Sequence, residues 1–199
     1  VCSSDLCNGL RDFLGSETPD FVSTPWLRRT GRRHRLSSDR NRRGDISPRY
    51  AMEAAGHAPG LILRTEAAVL HIPILRDRLQ SGCSLAATYP QVILLCELLI
   101  IGARCVYFTQ PLVREGDRCT SEICDQDGEH YTSLPSRIQQ LASMDRYLMA
   151  KASGDVQQEL LLGARENLLR KVLRAAPDLR VRGLLSAGLK SFSRGFFSS

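Results

Sequence analysis

The sequence has little lysine, few aromatic residues and no apolar stretch long enough to cross a bilayer. Of its 27 basic residues three are lysines, so the formal charge of +6 is carried almost entirely by arginine. Aromatic residues make up 6%, which is thin for a protein that stacks bases beside a basic patch. The strongest apolar run is Val92 to Ile101, with Glu97 inside it. It falls well short of the ~20 apolar residues of a membrane-spanning helix and reads as a buried helix. No basic start followed by an apolar run marks a secretory signal. There is no internal repeat and no Gly-rich phosphate loop. Cys119, Cys124 and His130 match no usual zinc spacing, and no fourth ligand is evident. A loop that holds two thiols is the plainer reading.

What is present fits a globular protein. A chain of 199 residues, 43% hydrophobic and 24% charged, suggests one domain or a little more, large enough to bury a core. The seven cysteines are odd in number and sit singly in apolar contexts such as "LLCELL" and "GARCVYF". That pattern suits reduced, buried thiols in a cytoplasmic protein better than a disulfide frame. Arginine concentrates in two places, Arg28 to Arg43 and a C-terminal arm from Arg165 to Arg194. Such patches draw nucleic acid, anionic lipid or phosphorylated small molecules, and either is also compatible with a plain solvated face.

Periodicity orders the elements. "NGLRDFL" places Leu10, Phe13 and Leu14 at helical spacing, and "PDFVSTPWLRR" reads as a strand, with a return strand expected after Gly31. Ser47-Pro48 reads as a helix start and Gly56 as its stop. "GLILR" predicts a buried strand with Arg64 at its exit, then a short helix from Thr65 to Pro73 and a partly looped stretch. Thr88 is expected to cap a helix ending at Gly102, and "ARCVYFTQPLV" to be a strand leaving at Pro111. Residues 117–132 read as a polar loop. The last segment, 133–199, is helical, with Ile138, Leu141, Met144, Leu148 and Met149 predicted on one buried face. A second helix opens at Asp155, paired with Gln158 in a capping box, and carries a stripe from Val156 to Leu173. Strands alternating with helices predict an α/β layer, but an incomplete one, followed by α-helices.

The chain opens on "VCSSDL". The same six residues result from translating the end of a common short-read sequencing adapter. Residues 1–6 are therefore read as foreign and set aside, with the true protein expected to continue upstream.

Between Gly60 and Gly116 the chain reads Gly60-Leu61-Ile62-Leu63-Arg64, then Gly82, then the helix ending at Gly102, then Val106-Tyr107-Phe108 and Gln110-Pro111-Leu112-Val113-Arg114. In order and spacing this stretch resembles the acceptor half of a family 2 glycosyltransferase of the GT-A fold. The resemblance reaches back weakly to about Asn8. It implies a Rossmann-like half-domain over 7–116 whose nucleotide-sugar-binding half is missing. It also implies Mg²⁺ or Mn²⁺ in the full-length enzyme, held by an Asp-x-Asp motif, and no metal ligand here. The family's acidic pair is replaced by Tyr89-Pro90-Gln91, and neither Tyr nor Gln is a suitable base near neutral pH. His57 is the substitute base that the resemblance suggests. Gly60, Arg64, Tyr89 and Gln91 are the implied acceptor-binding residues, with Arg64 alternatively pairing with a helix carboxylate.

The implied function is transfer of a sugar from a nucleotide donor to a lipid-linked or polysaccharide acceptor. The fragment itself is expected to be inactive. The expected location is cytoplasmic, with the C-terminal basic arm resting on the anionic inner face of the plasma membrane. The alternatives are a small basic nucleic-acid-binding module using Arg28 to Arg43, and a helical interaction protein built on 133–199.

Overall fold

A computed structural model describes residues 4–27, 44–56, 60–114, 130–151 and 154–175. The expected return strand after Gly31, both arginine-rich stretches for the most part, and nearly all of the 117–132 loop lie outside them. The fold is mixed α/β, with a small mixed sheet and a predominantly helical layer.

The order is α1 (Ser4–Glu17), β1 (Phe21–Ser23), β2 (Trp26–Leu27), β3 (Gly44–Asp45), α2 (Ala51–Ala55) after a 3-10 turn at Pro48–Tyr50, then β4 (Leu61–Leu63). α3 (Thr65–Gln80), α4 (Ser84–Thr88), α5 (Pro90–Ile100), β5 (Cys105–Tyr107), β6 (Val113–Arg114), α6 (Leu134–Met149) and α7 (Asp155–Ala175) follow. The main sheet runs β3-β5-β1-β4, and β2 pairs with β6 in a second, two-stranded sheet. β1 is parallel to β5 and antiparallel to β4, with Phe21 opposite Cys105 and Leu63, and Val22 opposite Val106 and Ile62.

The two-residue period of a strand then divides the sheet into two faces. Phe21, Leu61, Leu63, Cys105 and Tyr107 join the larger core under the helices. Val22, Ile62 and Val106 face the other way and pack with Leu10, Phe13, Leu14, Phe108 and Leu112. Phe13 of α1 meets Phe108 with ring centroids 4.9 Å apart. The larger core also holds Val92, Ile93, Leu95, Cys96 and Leu98 of α5, together with Met144, Tyr147, Leu160 and Leu168 of α6 and α7. Among the described residues no helix is long and apolar enough to cross a membrane, and the run from Val92 is a core helix.

Several expectations need correction. The helix from Thr65 does not stop at Pro73 but continues to Gln80. Proline removes one hydrogen bond and crowds the preceding turn. Here it sits on the exposed side of α3, and Val69, whose carbonyl loses its partner, is 55% exposed. Water can therefore replace the lost bond. The stretch expected to be partly looped is the rest of α3, a turn, and α4. Thr88 closes α4 rather than capping α5, donating its hydroxyl to the Ser84 carbonyl, and Tyr89 takes the N-cap position of α5. Ser47 makes no side-chain cap, and Gly56 ends α2 in right-handed geometry. The strand at Leu61 is half-buried rather than buried.

The buried face of α6 differs most from expectation. Ile138 and Met149 are 51% and 67% exposed. The residues turned inward are Ser136, Arg137, Gln140, Ser143, Met144, Tyr147 and Leu148. These positions keep the helical period, but four of them are polar or charged. α7 holds to expectation at Leu160, Ala164, Leu168 and Val172, and adds Gly163. Asp155 lies within the first turn, and the amides of Gln157 and Gln158 donate to the Gly154 carbonyl.

Candidate functional site

Among the described residues, those singled out from sequence take different partners. His57 lies outside the described residues. Gly60 has φ +81°, and a side chain there would stand 2.5 Å from the Thr24 hydroxyl and 2.9 Å from the Thr24 carbonyl. The Thr24 amide donates to the Gly60 carbonyl at 2.9 Å. The freedom of this glycine thus seats β4 against the end of β1. Arg64 leaves β4 and pairs with Asp20, while the other Asp20 oxygen accepts from the Arg104 amide at 2.9 Å. Arg104 also pairs with Glu17. Arg64 therefore belongs to a clasp that ties the start of β1 to the neighbouring strands. The carboxylate it meets, Asp20, stands just ahead of β1 and not in a helix.

Tyr89 belongs to a different cluster, and it is the one with unusual electrostatics. Its side chain is 7% exposed. The Arg137 Nη1 donates to the Tyr89 hydroxyl at 2.7 Å and to the Gln140 Oε1 at 2.8 Å. Gln140, fully buried, donates in turn to the Tyr131 carbonyl at 3.0 Å. The Arg137 guanidinium lies 5.4 Å from the Tyr131 ring centroid. Lys171 of α7 places its ammonium 4.7 Å from the Tyr89 ring centroid. One phenol thus receives a hydrogen bond at its edge and a cation on its face. Gln91 is half-buried in the first turn of α5.

Burial raises the pKa of Tyr89, and the hydrogen bond from Arg137 offsets this only in part. Tyr89 stays a neutral phenol and is no general base. Lys171 is pushed down to about 8, first by burial and then by the nearby charges of Arg137 and Arg174, with Glu53 acting the other way. A half-buried ammonium that loses part of its hydration, with two guanidinium groups outweighing one carboxylate, shifts in this direction. Among the described residues no group of three His, Cys, Asp or Glu could hold a metal ion.

No family model, curated protein or solved structure matches this chain.

A second buried charge lies deeper. Glu97, 3% exposed in the middle of α5, accepts from the Tyr147 hydroxyl at 2.5 Å and pairs with the Lys151 ammonium at 2.5 Å. Lys151 and Arg78 lie 5.5 and 5.4 Å from the Tyr147 ring centroid. This group fastens α6 to α5 and is fully paired.

Sequence reasoning missed Arg137, Gln140 and Lys171. A signal existed for the first two. Ser136, Gln140, Ser143 and Tyr147 recur every three or four residues, with Arg137 and Met144 beside them. A polar stripe of that period can be an inward face as readily as an outward one. For Lys171 there was no such signal.

Proposed function

We propose that the chain is the acceptor-side part of an inverting glycosyltransferase that transfers a sugar from a nucleotide donor to a lipid-linked or polysaccharide acceptor. One observation supports this reading above the others. The motif residues fall at element boundaries around one sheet: Gly60 and Arg64 bracket β4, Gly102 ends the turn after α5, and β5 then lies beside β1. Gly60 and Gly102, at φ +81° and +71°, use conformations that other residues rarely adopt.

In such a reaction the acceptor hydroxyl attacks the anomeric carbon in line, a base takes its proton, and the nucleoside diphosphate departs. His57 is the base in this proposal. Gln91 and the backbone near Gly60 would meet the acceptor. A divalent cation on the donor side would neutralise the departing diphosphate. Residues 1–199 alone would turn over no nucleotide sugar, and the protein would work in the cytoplasm, against the inner face of the membrane.

The test begins with the source DNA upstream of the codon for Asn8. The expected result is an open frame encoding strands, helices and an Asp-x-Asp motif. The longer protein should release nucleoside diphosphate from a nucleotide sugar with Mn²⁺, and His57→Ala should abolish release. A longer protein that neither binds nor turns over any nucleotide sugar refutes the proposal.

A further inference from the structure

A charged side chain removed from water needs an opposite charge or a set of acceptors close by. Asp145, Glu166 and Glu97 meet this demand for Arg165, Arg49 and Lys151. Arg137 and Lys171 differ in having neutral partners only in direct contact. Among the described residues neither has a carboxylate in ion-pair contact. Arg137 is 8% exposed and has only neutral acceptors, Tyr89 and Gln140. Lys171, half-buried, rests on the Tyr89 ring. Glu53, the carboxylate that acts on it, is engaged by Arg170 at 3.9 Å. Both cations meet the same phenol. Arg137 also stands in the first turn of α6 and Tyr89 at the N-cap of α5. Each of those helix starts adds partial positive charge.

We infer that Arg137 and Lys171, both in contact with Tyr89, form a binding site for a phosphoryl group. Two unbalanced positive charges match a dianion better than a single carboxylate. The planar fork of arginine and the point charge of lysine are the usual pair of phosphate donors. The Tyr89 hydroxyl keeps its proton and is a third donor. The depressed pKa of Lys171 is what such a site shows when empty, since an arriving anion would favour the charged amine. Under the glycosyltransferase reading the phosphoryl group would belong to the acceptor. The site itself rests on the charge arrangement and stands without that reading.

The chain holds three lysines, Lys151, Lys171 and Lys190, so each ¹³C-methylated amine can be followed by NMR in the full chain. Inorganic phosphate, added at constant ionic strength with chloride, should raise the Lys171 titration midpoint saturably. Acetate at the same ionic strength should not. Arg137→Gln should weaken phosphate binding by about tenfold or more, the loss of one charge-assisted contact. Arg137 is buried and its loss can unfold α6, so Lys171→Met serves as the second variant. It removes a desolvated charge, should remain folded, and should abolish the rise in melting temperature that phosphate gives the wild type. A Lys171 signal that phosphate leaves unmoved overturns the inference, as does one that acetate moves equally. Neither result bears on nucleotide-sugar turnover, so the two proposals fail separately.

Discussion

Replacing Gly163 by alanine sets local propensity against tertiary contact. Gly163 lies inside α7, where alanine is favoured over glycine by ~1 kcal/mol. On local grounds the variant should be more stable. In the fold, α7 crosses the 3-10 turn at Pro48–Tyr50 with Gly163 at the point of contact. A methyl group there would stand 1.8 Å from the Arg49 carbonyl oxygen and 2.6 Å from its carbon. Carbon–oxygen contacts settle near ~3.3 Å, so helix and turn would have to part by roughly 1.5 Å. Parting them disturbs Leu160, Ala164 and Leu168 in the core and the pairing of Arg49 with Glu166 at 2.5 Å. Overpacking costs ~1–3 kcal/mol, and a clash with backbone belongs at the upper end. The net expectation is a loss of about 2 kcal/mol after the propensity gain is subtracted. Urea unfolding followed by circular dichroism measures this, with the slope unchanged between variants. Gly9→Ala in α1 is the control, because nothing lies within 4 Å of its added carbon. It should gain up to ~1 kcal/mol. If Gly163→Ala equals or exceeds the wild type, the close packing of α7 on the 48–50 turn is refuted.

Four further outcomes are expected. Lys151→Met leaves the buried Glu97 with Tyr147 alone and should cost about 2–3 kcal/mol by chemical denaturation; a neutral result would mean that the pair at 2.5 Å is solvent-screened. His71 is 7% exposed, and neither ring nitrogen has a hydrogen-bond partner, so His71→Leu should stabilise by about 1 kcal/mol, and a loss of stability would reveal a partner. Cys96 and Cys105 are buried, and burial pushes both thiols up, Cys105 to about 12; a thiol reagent at pH 8 should label them only after unfolding, and prompt labelling of the native protein would contradict their burial. For Lys171 the folded state holds the pKa near 8 against an ordinary 10.5. The resulting penalty is complete below pH 8 and vanishes above 10.5, so it lessens as pH rises. It is on the order of 3 kcal/mol. The stability of the wild type relative to Lys171→Met should therefore rise from pH 8 to 10, and a flat difference would argue against a desolvated amine.

The sequence by itself determined which segments became elements wherever the apolar signal was strong. The run from Val92 had one outcome, because a helix apolar all round must be covered on all sides. The alternation through Phe21-Val22 and Cys105-Val106-Tyr107 fixed which residues face each layer. These are properties of residues a few positions apart. Tertiary structure decided the rest. Pro73 is tolerated in α3 because that side faces water. Gly163 is needed because the Arg49 carbonyl, far away in sequence, presses on it. The expected site residues took their partners for the same reason. Arg64 found Asp20, 44 positions earlier, and Tyr89 found Arg137 and Lys171, which no spacing pattern linked to it. Local periodicity tells a helix which face to bury. The partner of a buried polar group is set by which distant side chain shares its low-dielectric surroundings, and only the assembled fold brings the two together.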